Sequence, residues 1–395
     1  MDNVIKDSFG ANFKLLKMFA IYPPGKNFGG RRLFKFYAYT HQLLFTIGFP
    51  VLGIFELIIQ KDMDIYQVVD SLFVLSQLSL FPFKHLPFLI LNERLDELVG
   101  RLQSKSFTSV LPEQRKIIDD SIRVCRLIFN ILFWMCLGCC FFYSLRPVYL
   151  NILTPTQVWW PVEIKDAYSP ARYLAWLYCI YCGSHGVIAT SAIDPLISGL
   201  LIHATGQVKI LKDNLRFAGI RADQEVSLWE EPERSLRKKK IIKEKLLQCA
   251  SHYNDIIAFN KDIQRLLSSA VFIQIGGSSV VICMMCYSLT LVDLYSLTGI
   301  SFTVYIASML VQIFVYCFFG NDLVMESNGI TEAIYMSDWY TYDTSCKKIL
   351  ILIMERAKKP LVQSAGNVSV LSLQLFVTVL KQAYSLMAVL QSQSL

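Results

Sequence analysis

Seven apolar blocks, each long enough to cross a hydrocarbon layer as a helix, divide this 395-residue chain and leave few folds open to it. Backbone N–H and C=O groups in lipid must be satisfied within the segment or by a closed barrel, so blocks of more than twenty apolar residues imply helices. The blocks run roughly over residues 36–59, 66–91, 124–150, 172–202, 266–292, 297–319 and 368–391. Composition agrees, because 54% hydrophobic and only 17% charged residues are too little charge for a soluble protein of this size. The expectation is an all-α membrane protein with seven transmembrane helices.

The connectors set the orientation. Lys and Arg crowd the N-terminal segment and the connectors after spans two, four and six, whereas the opposite side holds Lys61, Arg146, Lys165 and Arg172. The positive-inside rule then places the N-terminus in the cytosol and, with an odd number of spans, the C-terminus outside. Six segments follow from this. Residues 1–35 form a cytosolic N-terminal segment broken at Pro23-Pro24-Gly25, and 36–205 hold spans one to four. Residues 206–265 hold cytosolic helical extensions and a charged stretch, 217–245, read as a solvated loop. Residues 266–320 hold spans five and six, 321–365 a cytosolic anchor helix, and 366–395 the last span. The loop over 151–170, with Trp159-Trp160-Pro161, reads as irregular and interfacial.

The C-terminal stretch is the most informative. From Cys346 through Ile349, Leu350, Ile353, Met354 and Ala357, apolar residues recur at helical spacing, with Lys347, Lys348, Glu355, Arg356, Lys358 and Lys359 on the other side. Pro360 ends that amphipathic helix and Gly366 permits a sharp change of direction. The span that follows carries Gln374, Thr378, Lys381, Ser385, Ala388 and Ser392 every three or four residues, on one face. A polar stripe of this kind faces protein or water, because facing lipid is costly.

Several function classes drop out. The five histidines are scattered, and neither a Gly-x-Ser-x-Gly elbow nor a Walker-type loop is present, so no enzyme is expected. His185 reads as a packed, hydrogen-bonded residue. The eleven cysteines fall mostly in apolar blocks and form no disulfide or zinc pattern, so neither metal nor cofactor is expected. The net charge of +7 is spread between spans rather than along one basic patch, which argues against nucleic acid. No Asp/Glu-Arg-Tyr ends span three and no Asn-Pro-x-x-Tyr marks span seven, so the rhodopsin-like class is disfavoured. The sequon Asn367-Val368-Ser369 lies at the cytosolic mouth of span seven, out of reach of glycosylation.

The chain resembles the insect odorant receptor family, as a ligand-tuning subunit rather than the shared co-receptor. The resemblance rests on Tyr335, Trp339-Tyr340, Lys347-Lys348, Leu352 to Ala357, Pro360, Ser364-Ala365-Gly366, Leu371 to Phe376, Leu380-Lys381 and Ala383-Tyr384-Ser385. One departure is Leu386, where many members carry a second aromatic residue. The sister gustatory receptors end differently: Ala383 stands where they have threonine, and Gln391 falls one residue late. A gustatory-type channel and an orphan seven-span transporter or interaction protein remain as alternatives, although no internal repeat favours a transporter.

The resemblance implies a heterotetrameric, ligand-gated, non-selective cation channel built with the odorant receptor co-receptor in the plasma membrane of olfactory sensory neurons. Cytosolic helix ends would form a central anchor, and span seven would line the pore. On that comparison Val389 falls at the gate, with Ser392 and Gln393 a turn further out, and Gln374, Thr378 and Ser385 line the path. Lys381 fits a cation path poorly and would face a subunit boundary or a carboxylate. The partners implied are a small volatile odorant, membrane lipid and permeating cations. The resemblance also places the odorant pocket in the outer membrane half among spans two, three, four and six. Those halves supply Phe73, Phe141, Phe142, Tyr143, Tyr173, Tyr178, Tyr181, Phe302 and Tyr305.

Overall fold

The structure, a computed structural model, describes residues 4–23, 30–59, 65–108, 110–150, 154–156, 158–160, 170–227, 230 and 232–393. Helix α1 (Val4–Met18) precedes α2 (Arg31–His41), which runs through a π-helical turn, Gln42–Ile47, into α3 (Gly48–Ile59). Then come α4 (Ile65–Ile90), α5 (Asn92–Gly100), the short α6 (Lys105–Thr108), α7 (Arg115–Leu150) and α8 (Pro170–Arg216). Helices α9 (Ala218–Glu225), α10 (Glu233–Thr290), α11 (Leu297–Asn328), α12 (Ile330–Tyr335) and α13 (Thr344–Ala357) follow. Strands β1 (Ser364–Ala365) and β2 (Ser369–Val370) then lead into α14 (Leu373–Gln393).

Six helices among the described residues are long and apolar enough to cross a membrane. The seventh is α14, whose 21 residues rise about 31 Å, close to the hydrocarbon thickness. Two helices are far longer than a bilayer needs: α8 has 47 residues and α10 has 58, or about 70 and 87 Å. Both continue past the membrane because their charged ends find partners there. Arg221 pairs with Asp213, Lys238 with Asp223, and Lys245 with Glu225, tying α8, α9 and α10 together. These pairs correct the solvated loop expected over 217–245. Apart from a short connection after Glu225, the described part of that stretch is helical, since Lys, Arg and Glu are good helix formers and their charges are matched across helices.

Helix α8 is the axis of the molecule: 89% of its apolar window is buried, against 28–61% in the other five spans. It packs against α1, α4, α7, α10, α11 and α12. The N-terminal segment is itself structured. Ser8, Phe9, Asn12 and Leu16 form the buried face of α1, where Ser8 Oγ meets His203 Nε2 at 2.9 Å and Asn12 donates to the Ala192 carbonyl at 2.7 Å. The break expected at Pro23-Pro24-Gly25 falls mostly outside the described residues.

Helix α13 buries Cys346, Leu350, Ile353 and Ala357 against α10 and α12. Asp343 caps it, Oδ2 accepting from the Ser345 N–H at 3.3 Å, and the N–H groups of Ser345 and Thr344 hold its carboxyl below the usual range. The last span begins later than the apolar run suggested. Residues 364–370 form a small antiparallel hairpin instead, pairing Ser364 with Val370 and Ala365 with Ser369, the one departure from an all-α chain among the described residues. Its turn needs positive φ at Gly366 (+59°) and Asn367 (+58°), which glycine and asparagine tolerate best.

Candidate functional site

Helical periodicity on α4 brings Phe73, Val74, Gln77, Leu78 and Phe81 to one face, and that face is a wall of a narrow cavity of about 40 Å³. The other walls are Cys140 and Tyr143 of α7, Gly183 and Val187 of α8, Val281 and Met285 of α10, and Tyr305 and Met309 of α11. The lining is almost wholly apolar because its hydroxyls are turned to other partners. Tyr305 donates to the Cys139 carbonyl at 2.9 Å, and the Tyr143 hydroxyl lies 2.7 Å from Thr156 Oγ1. Gly183 is required by close approach: a Cβ there would stand 2.5 Å from the Tyr143 ring.

Above the cavity, the α7–α8 connection folds inward. Thr154 and Thr156 are buried, Thr154 Oγ1 donates to the Thr156 carbonyl, and the Trp160 ring meets Tyr178 at 5.9 Å. The Trp159 N–H donates to the Leu52 carbonyl at 3.2 Å. The buried Arg146 guanidinium lies 5.6 Å from the Phe73 ring centroid. Residues 151–153, 157 and 161–169 of the loop expected here lie outside the described residues.

The nine aromatic candidates separate by helical phase. Phe73, Tyr143 and Tyr305 line the cavity, and Phe302 packs edge-on behind Phe73 at 5.7 Å. Tyr178 sits one layer back, its hydroxyl donating to the Leu44 carbonyl and its ring against Phe49. Phe142 packs on Phe141, and neither lines the cavity. Phe141, Tyr173 and Tyr181 are exposed on the outside of the single chain. Sequence reasoning missed Gln77, Phe81, Gly183, Val281, Met285 and Met309, and with them the contribution of α10. The three- and four-residue steps from Phe73 and Tyr305 would have found the members on α4 and α11.

Beneath the cavity lies a polar layer. Gln274 donates to Gln312 Oε1 at 3.0 Å and to Ser278 Oγ at 2.8 Å. One turn further, Lys84 Nζ sits 2.7 Å from Asp194 Oδ1, and Tyr316 donates to the same oxygen at 2.6 Å. To one side, Phe81 stacks parallel to His85, which stands 5.6 Å from His185; His185 in turn lies 4.8 Å from His41 and contacts the Phe19 carbonyl. Among the described residues, no group of three or more His, Cys, Asp or Glu could hold a metal ion.

The last helix is fixed at its root. Gln264 Nε2 donates to Ser364 O, Ser364 Oγ and Asn367 Oδ1, while its Oε1 accepts from the Ser364 N–H at 2.8 Å. The Gly366 N–H donates to the Ser268 carbonyl, and Gln363 donates to Asn260. From that root α14 buries Val379 and Ala383 against α10 and α11, and Phe376 meets Phe314 at 5.5 Å. Lys381 falls about 160° from both Val379 and Ala383. It is exposed with Gln374, Ser385 and Ala388, while Thr378, half-buried, donates to the Gln374 carbonyl. The polar stripe therefore faces away from the chain's own bundle. The side chains of Val389, Ser392 and Gln393 lie outside the described residues.

A family model described as 7tm Odorant receptor matches residues 64–384. Among curated proteins, the chain is 23% identical to Odorant receptor Or1 of Anopheles gambiae, over 98% of this chain and 95% of that protein. It is 32% identical to Odorant receptor 94a of Drosophila melanogaster, over 33% of this chain and 34% of that one. Among solved structures, the insect olfactory receptor OR5 from Machilis hrabei in complex with eugenol superposes with a TM-score of 0.81 at 14% identity, covering 98% of both chains. The fold is thus that of a seven-transmembrane, all-α, multi-pass membrane protein.

Proposed function

Because the chain belongs to the odorant receptor family, we propose that it is a ligand-tuning subunit that binds a small volatile organic molecule in the cavity between α4, α7, α8, α10 and α11. In a heterotetramer with the shared co-receptor, it gates a non-selective cation pathway in the plasma membrane of olfactory sensory neurons. The observation that carries this reading is continuity between cavity and last helix. Helix α11 presents Tyr305 and Met309 to the cavity and, five residues beyond Met309, Phe314 to Phe376 of α14. Helix α10 presents Val281 and Met285 to the cavity and holds the root of α14 through Gln264 and Ser268. A ligand that changes the spacing of α10 and α11 therefore acts on both supports of α14.

The outward polar stripe supports a water-facing role for α14 in the assembled channel, with Gln374, Thr378 and Ser385 along the path and Val389, Ser392 and Gln393 towards its outer end. The exposed Ile351, Leu352 and Tyr340 near the cytosolic helix ends supply apolar surface that this chain leaves uncovered, as an anchor between subunits requires. Among the described residues Lys381 makes no ion pair, which fits a boundary with a neighbouring subunit.

Current recording from cells expressing the chain with and without the co-receptor, under a panel of volatiles, tests the proposal. Evoked cation current that needs both chains, with the half-response concentration raised about tenfold or more by Phe73→Ala or Tyr305→Ala at unchanged ion selectivity, is the expected outcome. Dose–response curves indifferent to both variants would place the ligand elsewhere.

A further inference from the structure

The cavity has one polar side chain with an unused acceptor. Gln77, at the middle of the α4 wall, carries an Oε1 that is shut off from solvent and has no hydrogen-bond partner among the described residues. The other oxygens of the lining are engaged: Tyr305 with the Cys139 carbonyl and Tyr143 with Thr156. Cys140 offers only a thiol, a weak donor. A buried carbonyl oxygen without a donor, on a residue that shares the cavity lining with Leu78, Val281, Met285 and Met309, is a standing penalty, and a ligand that brings an O–H removes it.

We propose that Gln77 makes this cavity selective for hydroxyl-bearing volatiles, alcohols or phenols, whose O–H donates to Gln77 Oε1 while the hydrocarbon body fills the space between Phe73, Phe81 and Met285. This inference rests on the odorant-binding reading above and adds the chemical class of the ligand. Apolar walls reject an extra or missing methylene only weakly, whereas an acceptor left unpaired discriminates strongly against an isostere that cannot donate. Position supports the role. Gln77 lies one helical turn from both Phe73 and Phe81 on the same face, so a molecule packed on either ring has its head group within reach of the amide.

The test uses matched sets of alcohol, methyl ether and hydrocarbon on the same skeletons, aliphatic and aromatic, applied to the chain co-expressed with the co-receptor. In the wild type the alcohol or phenol of a set is expected to act at about tenfold or more lower concentration than its methyl ether, which accepts but cannot donate. Gln77→Leu should remove that gap, weakening the hydroxyl ligand while leaving or improving the ether and hydrocarbon. Surface labelling of Gln77→Leu verifies folding, and Gln77→Asn, with its amide one methylene shorter, should retain part of the gap. Silence to every alcohol and phenol overturns the inference, as does an equal shift of all three ligands in Gln77→Leu. No shift at all, as expected if a water satisfies Oε1 instead, overturns it too. The two proposals fail separately. If Phe73→Ala and Tyr305→Ala leave every response unchanged, the cavity is not the site; if they shift responses while alcohol and ether stay equal, only the role of Gln77 falls.

Discussion

Lys84 and Asp194 are a buried charge pair within the membrane bundle, 1% and 2% exposed at their side chains, and they join α4 to α8 with Tyr316 of α11 as third partner. Removing one partner strands the other in a medium that cannot solvate it. Lys84→Met is therefore expected to cost about 3–5 kcal/mol of stability, seen as loss of surface protein and a lower melting temperature in detergent. Lys84→Met with Asp194→Leu should melt closer to wild type than either single variant, since no charge is left unpaired. A double variant as damaged as the singles would mean that the pair contributes through packing and not through charge. The sequence shows Lys84 in an apolar block that also holds Asp70, and Asp194 in one that opens on Arg172, but the meeting of Lys84 and Asp194 across 110 positions is a tertiary fact. The pocket was legible to the same degree. Phe73, Tyr143 and Tyr305 differ from Phe141 and Tyr181 in helical phase and not in type, and Tyr173 lies about 15 Å along α8 from the cavity-lining Gly183, so counting aromatic residues in outer halves could not separate them.

Among the elements, the root of α14 is where sequence and structure inform each other most. Pro360 and Gly366 mark a break, but the hairpin across 364–370 leaves no signal of its own, because two-residue strands are set by the turn and by Gln264 and Ser268 on another helix. Gly366 combines φ of +59° with a position where a Cβ would stand 2.7 Å from Phe272 Cγ. Gly366→Ala thus adds about 1–2 kcal/mol of backbone strain to a side-chain clash. The expected result is a reduced maximal odorant current at near-normal surface expression, with Phe272→Ala in the same chain restoring part of it by removing the clash alone. Wild-type currents in Gly366→Ala would show that the root of α14 does not transmit. The long helices tell the opposite story. Extension of α8 to Arg216 follows from uninterrupted periodicity, while the helical character of 217–245 was hidden because a charged run looks solvated until its partners on neighbouring helices are known.

At the scale of the molecule, the seven-helix plan is the most legible property of the chain, since hydropathy reports it block by block. Assembly is the least legible, because the surfaces proposed to carry it look like ordinary exposed residues: the stripe of α14 opposite Val379 and Ala383, and the apolar patch at Ile351 and Leu352. Joined together, they make one proposal: an apolar cavity inside the bundle controls a pathway lined by the outward face of α14. By helical phase Val389 falls about 40° from Ser385, the basis for proposing it as part of that lining. A constriction that includes valine excludes water by dewetting, and serine in its place hydrates the closed state. The most direct measurement is the resting current and cation permeability of Val389→Ser, expressed with the co-receptor beside Val377→Ser, about 120° away around the helix. A larger resting current or altered permeability ratios are expected in Val389→Ser, with the ranking of odorants preserved and Val377→Ser unchanged. Wild-type resting current and permeability in Val389→Ser, together with a clear effect of Val377→Ser, would contradict it by placing the pathway on another face of α14.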